Sequence, residues 1–379
     1  MKKRFYSLMV IFLVVQQGTF QSMVASESQP QSYSWAIVGA GLAGITALAV
    51  LINCGVEPSS IAWIDTEFAV GRVGKYYRNV PGNIQISRML LYVNNCPYFK
   101  DITSSSLQAL YTYDVEEFKL LQVIADPLQD FTDYLRNQVV SVQTSITSLT
   151  LVNDQWVLEG GDCSITAQKV ILAIGAEPKR LTYDIPEILL DDALDKDKLA
   201  TLVSPDDTIA VFGGMHSAIL VLKYLSENCS VKQIINFYIE PYFYGPPGLE
   251  GATALWAQTV LEQNPPANLS RVLSTLENRK NILPLCTKAI YAIGYEPSPI
   301  LVNGSLNLTF DEYTGIIDQN LYGIGIAFPP TGIINGQKIA KNGLHAYLGY
   351  AKKLIPQWIA CGKSCVQLGK DKHEDLAWI

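Results

Sequence analysis

Three glycines, Gly39, Gly41 and Gly44, stand at G-x-G-x-x-G spacing in the stretch WAIVGAGLAGITALAVLINCG. A short apolar strand, Trp35–Val38, precedes them, and an apolar helix follows to about Cys54. Gly55 is a stop signal for that helix. This pattern suits the binding of a pyrophosphate. Gly39 permits the tight turn, Gly41 leaves bare backbone for the phosphates, and Gly44 lets helix and strand pack closely. Between them Ala40, Leu42 and Ala43 complete the turn, and the helix N-terminus offers free N–H groups to an anion. The next apolar strand, SIAWIDTE, ends at Asp65 and Thr66. A carboxylate about 20 residues after such a turn accepts hydrogen bonds from ribose hydroxyls. A Gly/Arg-rich loop then follows, with Gly71, Arg72 and Gly74. That loop suits a long extended cofactor such as FAD, with Arg72 meeting its phosphates.

A second unit, TIAVFGGMHSAILVLKYL, repeats the strand, turn and helix. Its turn reads Gly213-Gly214-Met215-His216-Ser217-Ala218. Met215 occupies the middle position, where a side chain projects toward the pyrophosphate path. The strand after it ends in FYIEPYFYG, with Glu240 and no adjacent Arg or Lys. A 2′-phosphate there would meet a carboxylate, so NADP is disfavoured and NAD less so. His216 reads as a helix-start residue rather than a catalyst.

The elements around these turns set the architecture. Three later strands close on glycine: KVILAIG at Ala173–Gly175, AIYAIG at Gly294, and NLYGIG at Gly325. The segment SVQTSITSLTLVNDQWVLEGGDCSITAQ alternates apolar and polar residues and reads as a β-meander. The ordered series GAGLAG, AIG, GGMHSA, AIGY, YGIG resembles the two-dinucleotide-domain flavoproteins, the pyridine nucleotide-disulfide oxidoreductase and flavin-containing monooxygenase superfamily. The resemblance covers roughly residues 33–355. It implies an α/β fold: an FAD-binding Rossmann-like domain (33–199 and 297–355) with a β-meander and an inserted, second Rossmann-like domain of nicotinamide type (200–296). A tail, 356–379, follows.

Carried over by position, the resemblance gives Gly39, Gly41 and Gly44 to the FAD pyrophosphate and Asp65 to its adenosine ribose. Ala173 and Gly175 would lie beside the FAD, and Gly325 at its ribityl and flavin end. YYRNVPGNIQIS is similar to the monooxygenase segment that sets an asparagine at the flavin's reactive edge; Asn83 is the matching residue, with a plain turn role as the competing reading. Two departures stand out besides Met215. Ile326 replaces the aspartate expected to bind the ribityl chain, leaving the helix expected from about Gln337 to aim its N-terminus at the flavin. No CxxC or CxxxxC pair lies beside the cofactor, which argues against dithiol–disulfide transfer.

Net charge is −7, so nucleic acid is not an expected partner. The start MKKRFYSLMVIFLVV carries three positive charges before an apolar run, Phe5–Val15. With small residues near Ala25 and Ser26, residues 1–26 read as a secretory signal peptide, without stable membrane insertion once cleaved. Seven dispersed cysteines and three scattered histidines give no metal site. Cys361 and Cys365 are spaced to pair with each other. The expected protein is an exported FAD-dependent oxidoreductase of a small molecule, linked to NAD(P)H or monooxygenase-like. An oxidase reduced directly by its substrate and a non-catalytic nucleotide-binding protein are the alternatives.

Overall fold

The computed structural model describes residues 32–361, apart from residues 243, 246, 247, 335 and 336. The expected signal peptide and most of the expected tail, including Cys365, lie outside the described residues.

The strand Ser32–Val38 is the centre of the larger sheet. It runs parallel to Ile61–Asp65 on one side and to Cys163–Leu172 on the other. Val140–Gln143 extends the sheet past Ile61–Asp65, and Leu321–Gly323 extends it in parallel past Cys163–Leu172. Strands covered on both faces need continuous apolar runs, which Trp35–Val38 and Ile61–Ile64 provide. The helix Leu42–Asn53, buried from Ala43 through Leu51, packs against the C-terminal helix Leu344–Ala360. The meander is built from Ser148–Val152, Gln155–Gly160 and the first half of Cys163–Leu172. Asn153 and Asp154 turn its first hairpin with φ of +49° and +62°, the signs that a two-residue type I′ turn requires.

The second sheet has four parallel strands in the order Leu269–Leu273, Gln233–Tyr238, Thr208–Phe212, Lys288–Tyr291. The helix His216–Asn228 packs on it. The chain leaves the first sheet through Ala176–Pro178 and returns through Tyr295–Pro297. These two segments pair with each other in an antiparallel ladder.

Two expectations are corrected here. The region after Gly325 is not a helix from Gln337: Thr331–Ile334 and Gln337–Ala340 form a β-hairpin, and the helix begins at Leu344. The Asn-Gly dipeptide at 335–336, preceded by two isoleucines, is a hairpin signal that outweighs the helix reading. The last helix also runs beyond residue 355, to Ala360. The Lys169 ammonium donates to the carbonyls of Trp358 (2.6 Å), Ile359 (3.2 Å) and Cys361 (2.9 Å), a cationic cap for the helix end. Cys361 is disulfide-bonded.

Candidate functional site: a glycine cradle and its copy

Both turns stand at the C-terminal ends of their central strands, where open parallel sheets bind ligands. In the first, Gly39 has φ +111°, and a Cβ there would lie 2.2 Å from the Ala173 carbonyl oxygen. A Cβ on Gly44 would lie 1.9 Å from the Gly39 carbonyl oxygen. These two glycines are demanded by the fold itself. Gly41 is different. Its backbone is extended (φ −78°, ψ −176°), and a Cβ would meet nothing nearer than Gly71 Cα at 3.8 Å. Nothing among the described residues requires glycine at 41, and the bare backbone leaves room for a group from outside the chain. Gly41 is also the N-cap of Leu42–Asn53, without a side-chain cap and without an acidic residue in the first turn. The amides of that turn are oriented for an anion. The donor set and the space fit a dinucleotide pyrophosphate, and Gly39 through Gly44 would hold it.

Asp65 stands where expected, at the end of its strand, but it also organises the turn. Its Oδ2 accepts from the Ala40 amide (2.7 Å), and its Oδ1 from the amides of Glu67 (2.9 Å) and Phe68 (2.7 Å). Thr66 is exposed beside it. The loop that follows is strained: Phe68 and Val70 have φ of +53° and +58°, a costly region for a β-branched residue. It brings Gly71 against Gly41.

Arg72 is corrected. Its guanidinium pairs with Asp191, whose other oxygen accepts from the Tyr77 hydroxyl at 2.5 Å. Tyr77 in turn contacts the Tyr295 hydroxyl at 3.2 Å, and Tyr295 bonds to Ser217 of the second turn. The arginine therefore ties the first sheet's loop, through Asp191 and Tyr77, to Tyr295 of the antiparallel crossover ladder.

Where the resemblance expects the flavin end, Ala173 is buried and donates its amide to Val38 O at 2.8 Å. Gly175 has φ +72° and open space where a Cβ would be. Gly325 lies against the first helix, since a Cβ there would come within 2.7 Å of Ala43 Cβ. Ile326 is 37% exposed, an apolar residue where the resemblance expects an acceptor. Asn83 is exposed on the strand Pro81–Gln85.

The second turn copies the first. Gly213 has φ +125°, and a Cβ there would lie 2.2 Å from the Ala292 carbonyl oxygen. Gly214 has room for one, 3.7 Å from Tyr238 Cβ, and Ala218 is buried where the first unit has Gly44. Met215 is the N-cap, as extended as Gly41 (φ −106°, ψ −169°), and 46% exposed. The backbone is preserved and the space is filled. Glu240 is exposed just past the strand.

His216 joins the strand Pro81–Gln85 to the helix Gly251–Trp256. Its Nε2 lies 3.0 Å from Pro81 O and its Nδ1 3.0 Å from Thr253 Oγ1. Burial lowers its pKa below the ordinary histidine value, so the ring is neutral at pH 7. A carbonyl can only accept, so Nε2 carries the proton and donates to Pro81. The Thr253 hydroxyl then serves either Nδ1 or Glu250 O (2.8 Å). This fits a positioning role, in line with the helix-start reading.

Cys96 is buried, and burial pushes its thiol up to about 12, so it is no nucleophile. No metal-binding cluster of His, Cys, Asp and Glu exists among the described residues. Sequence reading missed Asp191, Tyr77 and Tyr295. No local signal marks these pairings, because each joins residues far apart in the chain.

No family model matches the chain. It is similar to the curated monooxygenase AgnR1 of Paecilomyces divaricatus, 26% identical over 88% of this chain and all of that protein. Among solved structures it resembles a flavin-containing monooxygenase from Stenotrophomonas maltophilia (13% identical, TM-score 0.59, covering 87% of this chain and 99% of that one). It also resembles the Staphylococcus aureus bacillithiol disulfide reductase (11%, TM-score 0.56, 87% and 98%) and a Lactococcus lactis thioredoxin reductase (11%, TM-score 0.52, 86% and 98%). The chain thus has the fold of the two-dinucleotide-domain flavoproteins. The curated relative that it matches along nearly its whole described length is a monooxygenase.

Proposed function

We propose that this protein is an exported FAD-dependent oxidoreductase, monooxygenase-like in type, which acts on a small organic molecule and draws electrons from NAD(P)H. One observation carries the reading: Gly41 is bare although its own chain has room for a Cβ. The similarity to a monooxygenase and, among the described residues, the lack of a cysteine pair beside the cradle favour monooxygenase over dithiol chemistry. Bound there, FAD would supply two-electron redox chemistry; the protein binds and orients it and shapes the substrate space. Gly39–Gly44 would hold the pyrophosphate. The Pro81–Gln85 strand, fixed through His216, would present Asn83 beside the reacting edge. Export is supported by the basic and apolar start and by the disulfide at Cys361.

Met215 favours a second reading, an oxidase that its substrate reduces directly. The test is anaerobic mixing of the FAD-loaded protein with NADH or NADPH. Bleaching of the flavin within seconds supports the first reading. A flavin that stays oxidised with both, in wild type and in Met215→Gly, supports the oxidase.

A further inference from the structure

Four Asn-x-Ser/Thr sequons lie in the chain, at Asn228, Asn268, Asn303 and Asn307. Such an asparagine accepts an N-linked glycan only in a protein that enters a secretory route, and the folded surface must have room for a bulky polar group there. The fold separates the four. Asn268 is half-buried just before the strand Leu269–Leu273, and its Nδ2 donates to Val231 O at 3.1 Å. Asn303 stands in the left-handed region, with φ +49°, and both ends of its amide are engaged. Its Oδ1 accepts from the Leu151 amide at 2.9 Å, and its Nδ2 donates to Asp318 Oδ2 at 3.2 Å. Each of these amides is held against the chain's own surface, and a sugar on Nδ2 would prise it off. Asn228, the last residue of the helix His216–Asn228, is exposed, and so is Asn307.

Asn307 has a second feature. Its backbone is fixed, because the amide donates to Ser305 Oγ at 3.1 Å and the carbonyl accepts from the same hydroxyl at 3.2 Å. Its side-chain amide has no partner among the described residues. It lines an open cavity of about 550 Å³ whose wall is largely apolar, from Ile174, Ile300, Leu308, Phe310 and Phe328. Leu306 lines the same cavity and is 61% exposed. Apolar surface gathered in this way calls for a cover, and a glycan rooted at its edge supplies one that stays soluble.

We propose that Asn307 is an N-glycan acceptor whose first sugars cover this cavity and Leu306, while Asn268 and Asn303 stay bare. The inference rests on the reading above that the chain is exported, and goes beyond it. In the transfer, Asn307 Nδ2 gives up one proton and forms a bond to C1 of an oligosaccharide carried on a lipid pyrophosphate. The bond from C1 to the pyrophosphate oxygen breaks, the lipid pyrophosphate leaves, and no redox change occurs. Thr309, exposed two residues on, supplies the hydroxyl that completes the sequon.

The test is expression of the full chain, from its own start, in a eukaryotic secretory host, with medium and cells analysed separately. Peptide-N-glycosidase in heavy-oxygen water turns a glycosylated asparagine into a labelled aspartate, which peptide mass mapping locates. The label is expected at 307 and absent from 268 and 303. Asn307→Gln and Thr309→Ala should each abolish it. Removal of the glycan from the folded protein should raise the fluorescence of added Nile red several-fold, to the level that Asn307→Gln shows untreated. A chain found in the medium with its signal removed and no label at 307 would overturn the proposal and leave export standing. A chain kept inside the cells with residues 1–26 attached and no sugar would overturn export, and the proposal with it. Labelling at 268 or 303 would refute the selection argued from the fold. Nile red fluorescence that does not change on deglycosylation would refute the covering role.

Discussion

Replacing Gly41 by alanine separates what the fold needs from what the ligand needs. The extended backbone at 41 is open to any residue, and the nearest chain atom to an added Cβ is 3.8 Å away, an ordinary contact. The substitution therefore leaves the ligand-free protein close to wild-type stability, because the gain of about 0.4–1 kcal/mol from a stiffer unfolded chain is offset by alanine's poorer fit at a helix N-cap. With FAD the effect is a loss. A methyl group in the path of the pyrophosphate forces the phosphates outward, and overpacking of this kind costs about 1–3 kcal/mol. That corresponds to roughly a 5- to 150-fold loss of FAD affinity. Gly39→Ala is the contrast: at φ +111° its Cβ would lie 2.2 Å from Ala173 O, so the ligand-free fold itself suffers. The assay pairs calorimetric melting of the ligand-free proteins with FAD titration by flavin fluorescence. If Gly41→Ala binds FAD as wild type does, the cradle is not at this turn. If it melts as low as Gly39→Ala, the glycine is there for the fold and the reasoning fails.

Three further outcomes follow from the same contacts. Asp207 is buried, which by itself would raise its pKa, but the Lys288 ammonium, the Thr287 hydroxyl and the Ser204 amide outweigh that and hold it at about 2. Its contribution is full above the ordinary carboxylate value and lost as pH falls toward about 2; Asp207→Asn should flatten that acid limb in pH-dependent melting and cost on the order of 3 kcal/mol near neutrality. Lys169→Met leaves the end of the last helix uncapped and should destabilise the protein by about 2 kcal/mol in denaturant titration, with little change in FAD affinity. Brief alkylation of the native protein at pH 8, read by peptide mass spectrometry, should label exposed Cys54 and spare Cys96; equal labelling would contradict the burial described.

The first turn was legible because everything that makes it lies within one short stretch: apolar strand, three glycines, apolar helix, carboxylate. The meander was legible for the same reason, since alternation and turn residues are local. The second turn was equally readable, and Met215 stands where the spacing placed it. The role of Arg72 was not. Its partner Asp191 is 119 residues away, and only folding brings them together. The hairpin at 331–340 follows the local Asn-Gly signal and not the helix that the family pattern implies at this point.

The most direct test of the central claim is the flavin content of the purified protein, measured as FAD released on denaturation, before and after incubation with excess FAD. The account predicts one FAD per chain after loading, with Gly41→Ala falling well below that at limiting FAD. A protein that folds, stays colourless and retains no FAD under saturating conditions would contradict it.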